Sequence, residues 1–115
     1  MSDSSPCRAA RGRVQDCRKG VPVFILMSIH HPHPRHEAAL IDSMHRYGAA
    51  IRGKPGLRGI HTLKDRGSDR LVGLAIFDSQ EAFERLAPIA REAVKDDPFD
   101  VWEKVEIDGL VLEEV

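Results

Sequence analysis

The sequence has few cysteines and no long apolar run, and both absences limit what the protein can be. Its two cysteines, Cys7 and Cys17, stand in no CxxC or CxxH spacing, which argues against a zinc or redox motif and predicts reduced thiols in a cytoplasmic protein. The longest apolar run, residues 21–29, is about half the length that a membrane-spanning helix needs. The opening residues lack the apolar core of a signal peptide. We therefore expect a soluble protein with no membrane partner.

Fingerprints of cofactor-dependent enzymes are also missing. The sequence contains no GxGxxG turn, no Walker loop and no GxSxG turn. Neither a nucleotide cofactor nor a serine-nucleophile elbow is indicated. If the protein is an enzyme, we expect it to work without a cofactor.

Length and charge indicate one domain behind a basic tail. A chain of 115 residues with 42% hydrophobic residues is long enough for a single core and too short for two. Residues 1–20 hold five Lys or Arg against two Asp, so the remainder carries about −4, which argues against a nucleic-acid partner. We predict a flexible basic tail at residues 1–20 and one domain at residues 21–115.

Hydrophobic periodicity predicts the order strand, helix, strand, strand, helix, strand. The strands are predicted at residues 21–29, 57–64, 70–77 and after 101, and the helices at 35–52 and from residue 78. Asp78 and Glu81 have the spacing of a capping box, and Pro88 is expected to divide the second helix into two short pieces. This is the ferredoxin-like βαββαβ order, an α+β fold in which both helices cover one face of a four-stranded antiparallel sheet.

The other face of that sheet is predicted to be apolar too. The first and third strands, residues 21–29 and 70–77, carry apolar side chains at successive positions, so both faces of each strand are apolar. An apolar face of that size in water is unusual for a monomer. We therefore expect two copies to pack sheet against sheet as a homodimer.

Three segments resemble the antibiotic biosynthesis monooxygenase-like family of dimeric α+β barrels, over about residues 22–112. They are FILMSIHHPHPRHEAALIDSM, KPGLRGIHTLKD and RLVGLAIFDSQEAFERL. The resemblance implies a dimeric barrel with a pocket between sheet and helices in each subunit. Members of the family include cofactor-independent oxygenases of phenolic or quinol-like rings and haem-degrading enzymes.

The haem-degrading branch is not favoured. Where its members have Asn, Trp and His, this sequence has Ser28, Phe77 and Val94, and no histidine follows His61 to act as the iron ligand. No cofactor is therefore expected.

The stretch SIHHPHPRHE suggests two interpretations for its histidines. Its X-Pro steps favour polyproline II, which would bring His30, His33 and His36 to one side, where they could bind zinc or copper. A polar loop between a strand and a helix explains the same residues without a metal, and we favour that interpretation.

His30 is the first candidate for catalysis, as a general base at the end of the first strand, in phase with Ser28. A hydrogen-bonded histidine at the pocket rim is the alternative. His61 is the second candidate, in phase with Leu57 on a buried or interfacial sheet face, and His45 on the first helix is the third.

Four residues are predicted to contact substrate. Ser28 could donate a hydrogen bond to it, and the aromatic side chains of Tyr47, Phe77 and Trp102 could pack on a planar ring, although core packing would explain them equally.

The leading hypothesis is thus a cofactor-independent monooxygenase for a small phenolic or quinol-like compound, with O₂ as the second substrate. The alternative is a non-catalytic dimeric module that binds a small ligand or another protein.

Overall fold

Four strands and three α-helices make up residues 23–115, the part of the chain that the computed structural model describes. In chain order they are β1 (Phe24–His30), a 3₁₀ turn (Pro34–His36), α1 (Glu37–Ile51), β2 (Leu57–Lys64), β3 (Leu71–Phe77), α2 (Gln80–Ala93), α3 (Phe99–Trp102) and β4 (Asp108–Glu113). The predictions for Cys7, Cys17 and the tail at residues 1–20 lie outside the described residues. None of the helices in this part is long and apolar enough to cross a membrane.

The strands form one antiparallel sheet in the order β2-β3-β1-β4. β1 lies in the middle, where Phe24 pairs with Phe77 of β3 on one side and with Glu113 of β4 on the other. This strand order, with both long helices on one face, is the ferredoxin-like arrangement. The predicted fold class is therefore confirmed.

The core lies between the helices and one face of the sheet. Alternate residues of β1 and β3 point towards the helices, among them Phe24, Ala75 and Phe77. Phe83 of α2 packs its ring 5.4 Å from that of Phe24 and 5.6 Å from that of Phe77. Each fully buried large side chain of this kind contributes about 1.5 to 3 kcal/mol. This packing fixes which side of β1 faces the helices.

The start of α2 differs from the prediction. Ser79, not Asp78, is the N-cap residue, because its hydroxyl oxygen accepts a hydrogen bond from the backbone N–H of Ala82. The Asp78 carboxylate instead pairs with Arg58 at 2.8 Å. One residue, Asp78, therefore lies between the end of β3 and the cap, and the predicted capping box of Asp78 and Glu81 is wrong.

Pro88 does not divide α2, so the prediction of two short pieces is wrong. The helix runs from Gln80 to Ala93 with Pro88 inside it. A proline in a helix interior costs about 3 kcal/mol, but its neighbours Leu86, Ala87 and Ala90 are fully buried against the core. The carbonyl that loses its hydrogen bond is that of Glu84, four residues before Pro88. Both residues are exposed, so water can solvate this carbonyl. Tertiary packing thus maintains one continuous helix.

The final segment is part helix and part strand. Phe99–Trp102 form the short helix α3, and β4 begins only at Asp108, so Asp108 and Gly109 start a strand instead of making a turn. In β4, Gly109 pairs with Ser28 of β1.

The second face of the sheet is apolar and uncovered within residues 23–115. By the strand register it carries these side chains: Ile25, Met27, Ile29, Leu63, Val72, Leu74, Ile76, Leu110 and Leu112. Leu110 is 38% exposed and Leu112 is 39% exposed. The predicted apolar second face is therefore present.

Gly56 is predicted to be essential for the turn between α1 and β2. It has φ +99°, and a Cβ there would lie 2.7 Å from the Cβ of Ala82. Gly53 has φ +85° but open space around it, which makes it a matched control. Gly53→Ala should lower the free energy of unfolding by about 1 to 2 kcal/mol from backbone strain alone. Gly56→Ala should lose about 1 to 3 kcal/mol more from overpacking. Equal losses in urea denaturation would contradict this account.

Candidate functional site

A cavity of about 330 Å³ lies between the sheet and the helices. Its apolar lining is Leu26, Met44, Tyr47, Ile60, Leu74, Ala75, Val94, Phe99 and Ile107. Its polar lining is Ser28, His30, Ser43, His61, Thr62 and Arg91, and Gly73 completes it. An apolar cavity with a few polar groups is the usual form of a small-molecule site.

Three side chains at this cavity form a hydrogen-bonded chain. The Ser28 hydroxyl lies 2.9 Å from His30 Nε2, and His30 Nδ1 lies 2.5 Å from Glu103 Oε2. The other carboxylate oxygen of Glu103 accepts a hydrogen bond of 2.9 Å from the backbone N–H of His31. His30 and Glu103 are each only 6% exposed. A buried imidazole is thus held between a hydroxyl and a carboxylate.

The hydrogen bonds assign the protons of the neutral His30 ring. An ionised Glu103 can only accept, so His30 Nδ1–H donates to it. His30 Nε2 then carries a lone pair, and the Ser28 hydroxyl donates to that lone pair. The ring nitrogen bonded to Ser28, a lining residue of the cavity, is therefore the basic one. The carboxylate fixes the tautomer and stabilises the imidazolium that would form on protonation, as in a serine protease triad.

Glu103 is held in place by pairing between two distant segments. Pro32 and Glu103 form an antiparallel bridge, the backbone N–H of His33 donates to Trp102 O at 2.9 Å, and that of Lys104 donates to His31 O at 2.7 Å. The residues after α3 thus lie along the residues after β1. We did not predict Glu103, because it stands 73 residues from His30 and in no motif. The one sequence signal was a histidine on a helix-facing strand position, which needs a buried partner.

Ser28 is suited to hydrogen bonding and not to nucleophilic attack. Its strand is paired on both sides, with Gly73 on β3 and Gly109 on β4, so the backbone N–H groups around it belong to the sheet. They cannot form an oxyanion hole. The hydroxyl occupies the space above Gly73, where a Cβ would lie 2.7 Å from Ser28 Oγ and 3.3 Å from Met44 Cε.

His61 borders the cavity, but its side chain lies on the other face of the sheet. The register shifts between Leu57 and Gly59, so Leu57 faces the helices while His61 pairs with Leu74 on the uncovered face. The expected phase of His61 with Leu57 is therefore wrong, because the bulge inserts one extra residue. The His61 side chain is exposed.

The remaining predicted residues divide between cavity, core and surface. Tyr47 lines the cavity. Phe77 is fully buried in the core, and Trp102 packs edge-on against Phe99, with their ring centroids 5.7 Å apart. Neither Phe77 nor Trp102 lines the cavity. His45 is exposed on α1 and does not line it either. Phe99 and Arg91 are among the lining residues that were not predicted from the sequence.

The other histidines of SIHHPHPRHE do not gather around a metal position. His33 and His36 pack edge to face at 6.4 Å, while His30 is directed towards Ser28 and Glu103. Within residues 23–115, no three His, Cys, Asp or Glu side chains are placed to hold a metal ion.

A second polar cluster closes the cavity beside α1. Ser43 donates a hydrogen bond of 2.6 Å to Asp97, and Arg46 donates one of 2.9 Å to the same carboxylate oxygen. The Ser43 hydrogen bond, with a smaller effect of Arg46, lowers the pKa of Asp97. These bonds fasten the loop between α2 and α3 to α1, and so hold Phe99 at the cavity.

Several solved structures share this fold. The structure of Rv0793 from Mycobacterium tuberculosis has a TM-score of 0.68 at 16% identity, covering 81% of this chain and 95% of that one. A crystal structure described as an antibiotic biosynthesis monooxygenase has a TM-score of 0.65 at 8% identity, covering 80% and 98%. A mutant of SnoaB, a cofactor-independent oxygenase from Streptomyces nogalater, has a TM-score of 0.64 at 16% identity, covering 78% and 90%.

Sequence comparison adds no further relative, since a scan of protein-family models and a search of curated proteins both found no match. At these identities the solved structures establish the fold of this chain. The resemblance predicted from the sequence is confirmed at that level.

The Ser43–Asp97 bond predicts a pH-dependent contribution to stability. A carboxyl group whose pKa is lowered by folding stabilises the protein above its unfolded pKa of about 3.9, and this stabilisation is lost as the pH falls through the folded pKa. Ser43→Ala should therefore be more destabilising at pH 6 than at pH 3 in urea denaturation. Ser79→Ala, which removes a cap without a carboxylate, should cost about 1 kcal/mol at both pH values. A pH-independent loss in Ser43→Ala would contradict this role of Asp97.

Proposed function

We propose that this protein is a cofactor-independent monooxygenase acting on a small phenolic or quinol-like compound. The observation that carries the proposal is the Ser28–His30–Glu103 chain, in which His30 Nε2 is bonded to the Ser28 hydroxyl and both residues line an apolar cavity. A fold shared with SnoaB, a cofactor-independent oxygenase, supports the same chemistry.

His30 is proposed to be the general base. A substrate hydroxyl beside Ser28 donates its proton to His30 Nε2, and Glu103 stabilises the resulting imidazolium. Ser28 is left to donate a hydrogen bond to the substrate oxyanion. General-base catalysis by a positioned side chain contributes typically about 10² to 10⁴ in rate.

The substrate anion itself is proposed to reduce O₂. The anion gives one electron to O₂, and the two radicals combine into a carbon–oxygen bond. The peroxide anion then takes the proton back from the His30 imidazolium and loses water, which regenerates the neutral base. One oxygen atom enters the product and the other leaves as water, with all four electrons supplied by the substrate. The apolar lining excludes solvent from these charged intermediates.

The non-catalytic alternative is less well supported. A binding module needs an apolar cavity, but it has no need of an imidazole oriented by a buried carboxylate. Burying His30 and Glu103 costs desolvation energy, which a ligand-binding protein could avoid with an apolar pair. His61 and His45 remain proposals for a catalytic role, and their exposed side chains give them less support than His30 has.

We also propose that the protein is a cytoplasmic homodimer that uses the uncovered face of its sheet. Nine apolar side chains share that face, and a second copy about a two-fold axis would bury them. The dimer would then enclose a barrel of two sheets, and the cavities would lie outside it, on the helical sides.

The dimer proposal can be tested with two lysine substitutions of similar starting exposure. Leu110 on the uncovered face is 38% exposed, and Ile89 on α2 is 41% exposed. Leu110→Lys should shift the protein towards monomer, because a charge buried in an apolar interface is costly. Ile89→Lys should leave the dimer intact. The mass of each variant from light scattering on a sizing column decides, and a monomeric wild-type protein would refute the proposal.

The catalytic role of His30 is tested by His30→Gln, which keeps side-chain volume and a hydrogen-bond donor for Glu103. Oxygen uptake with hydroquinones and naphthols as probe substrates should fall at least about tenfold. His36→Gln, which changes a histidine of the 3₁₀ turn that does not line the cavity, is the control and should retain full uptake. Unchanged uptake in a folded His30→Gln protein, checked by circular dichroism, would remove His30 from the mechanism.

A further inference from the structure

The cavity lining carries a cation and no anion. Arg91, in the last turn of α2, lines the cavity, and none of the described lining residues is acidic. Two carboxylates that do not line the cavity are bonded to residues that do. Glu103 is bound to His30 and to the His31 N–H, and Asp97 to Ser43 and Arg46. Arg91 therefore supplies the described cavity lining with a permanent positive charge.

Arg91 is available to a ligand. Among residues 23–115 it forms no ion pair, whereas six other arginine or lysine side chains are paired with carboxylates: Arg46, Arg58, Lys64, Arg70, Lys95 and Lys104. An unpaired guanidinium beside an apolar cavity is a strong donor for a carboxylate, which it can bind through two parallel hydrogen bonds.

Tyr47 supplies a second donor in the same cavity as Arg91. It lines the same cavity from α1. Burial raises the pKa of the Tyr47 phenol, and the nearby charge of Arg91 partly offsets this, so the hydroxyl stays protonated and within the field of the guanidinium. A protonated phenol and a guanidinium together form a donor pair for one anionic group.

We propose that Arg91 and Tyr47 form an anion subsite, and that the cavity takes a hydroxylated aromatic carboxylate, its carboxylate on these two residues and its hydroxyl at His30. The aromatic ring would lie between Phe99, Met44 and the apolar strand residues. The assignment of the hydroxyl to His30 rests on the proposed function, but the anion subsite does not.

The test is a binding measurement that needs no turnover. The probes are 6-hydroxy-2-naphthoate and its methyl ester, which differ in charge but share the ring and the hydroxyl. By calorimetry on the full chain, the acid should bind at least about tenfold more tightly than the ester, the difference that one charge-assisted hydrogen bond supplies. Equal affinities, or no binding of the acid at millimolar concentration, would overturn the proposal.

Two variants locate the effect. Arg91→Gln should reduce the ratio of the two affinities to near one while leaving the affinity for the ester unchanged. Arg66→Gln removes the same charge from the exposed turn between β2 and β3, and should keep the full preference. A preference for the acid that survives in Arg91→Gln would overturn the assignment of the carboxylate to Arg91. A preference that falls equally in Arg66→Gln would show that overall charge, and not the subsite, is responsible.

A spectroscopic readout checks the placement of Arg91. Tyr47 is the only tyrosine of the chain, so its phenol can be titrated by ultraviolet absorbance without ambiguity. Because the charge of Arg91 lowers its pKa, Arg91→Gln should raise the midpoint. An unchanged midpoint would overturn the assignment of both residues to one subsite. Failure of the oxygen-uptake assay alone would refute the proposed reaction and leave these binding results intact.

Discussion

The buried contact between His30 and Glu103 is the interaction on which the arrangement of the cavity depends. A carboxylate that is almost fully buried needs donors, and Glu103 finds them in His30 Nδ1 and the His31 N–H. To reach them, the residues after α3 must pair with those after β1. That pairing places α3 and its Phe99 at the cavity. One polar contact therefore joins the central strand, the cavity wall and the segment that leads to β4.

The parts of the fold that could be predicted from the sequence are those in which local pattern and tertiary packing agree. Strand β2 has the predicted bounds, because Gly and Pro residues precede it and a turn-forming run follows. The start of β4 could not be predicted in this way. Val101 and Trp102 have strand propensity, but they form a helical turn that positions Glu103. Local propensity does not report such a long-range requirement.

In the candidate site, too, the features set by local pattern could be predicted, and those set by contacts between distant segments could not. Alternation along β1 was enough to predict that Ser28 and His30 share a face, because β1 is a regular strand paired on both sides. Alternation failed for His61, because the bulge near Arg58 leaves no clear mark in the sequence and reverses the face of every later residue in β2. Glu103 and Arg91 could not be assigned at all, since each joins the site only when distant segments meet. The sequence thus predicted that His30 and Ser28 share a face, but neither the carboxylate partner of His30 nor the presence of Arg91 in the cavity lining.

The position of Ser28 and His30 on one strand has a consequence for how the site responds to local unfolding. Two residues apart on the same face of a central strand, their spacing follows from the pleat of the backbone. Central strands are typically among the last segments to exchange their amide hydrogens, so this spacing persists as long as the domain is folded. Glu103 belongs to an irregular segment between α3 and β4, and irregular segments open more readily than central strands. The distance between His30 and its hydroxyl partner is thus protected by global stability, whereas the orientation of the imidazole depends on a segment of lower local stability.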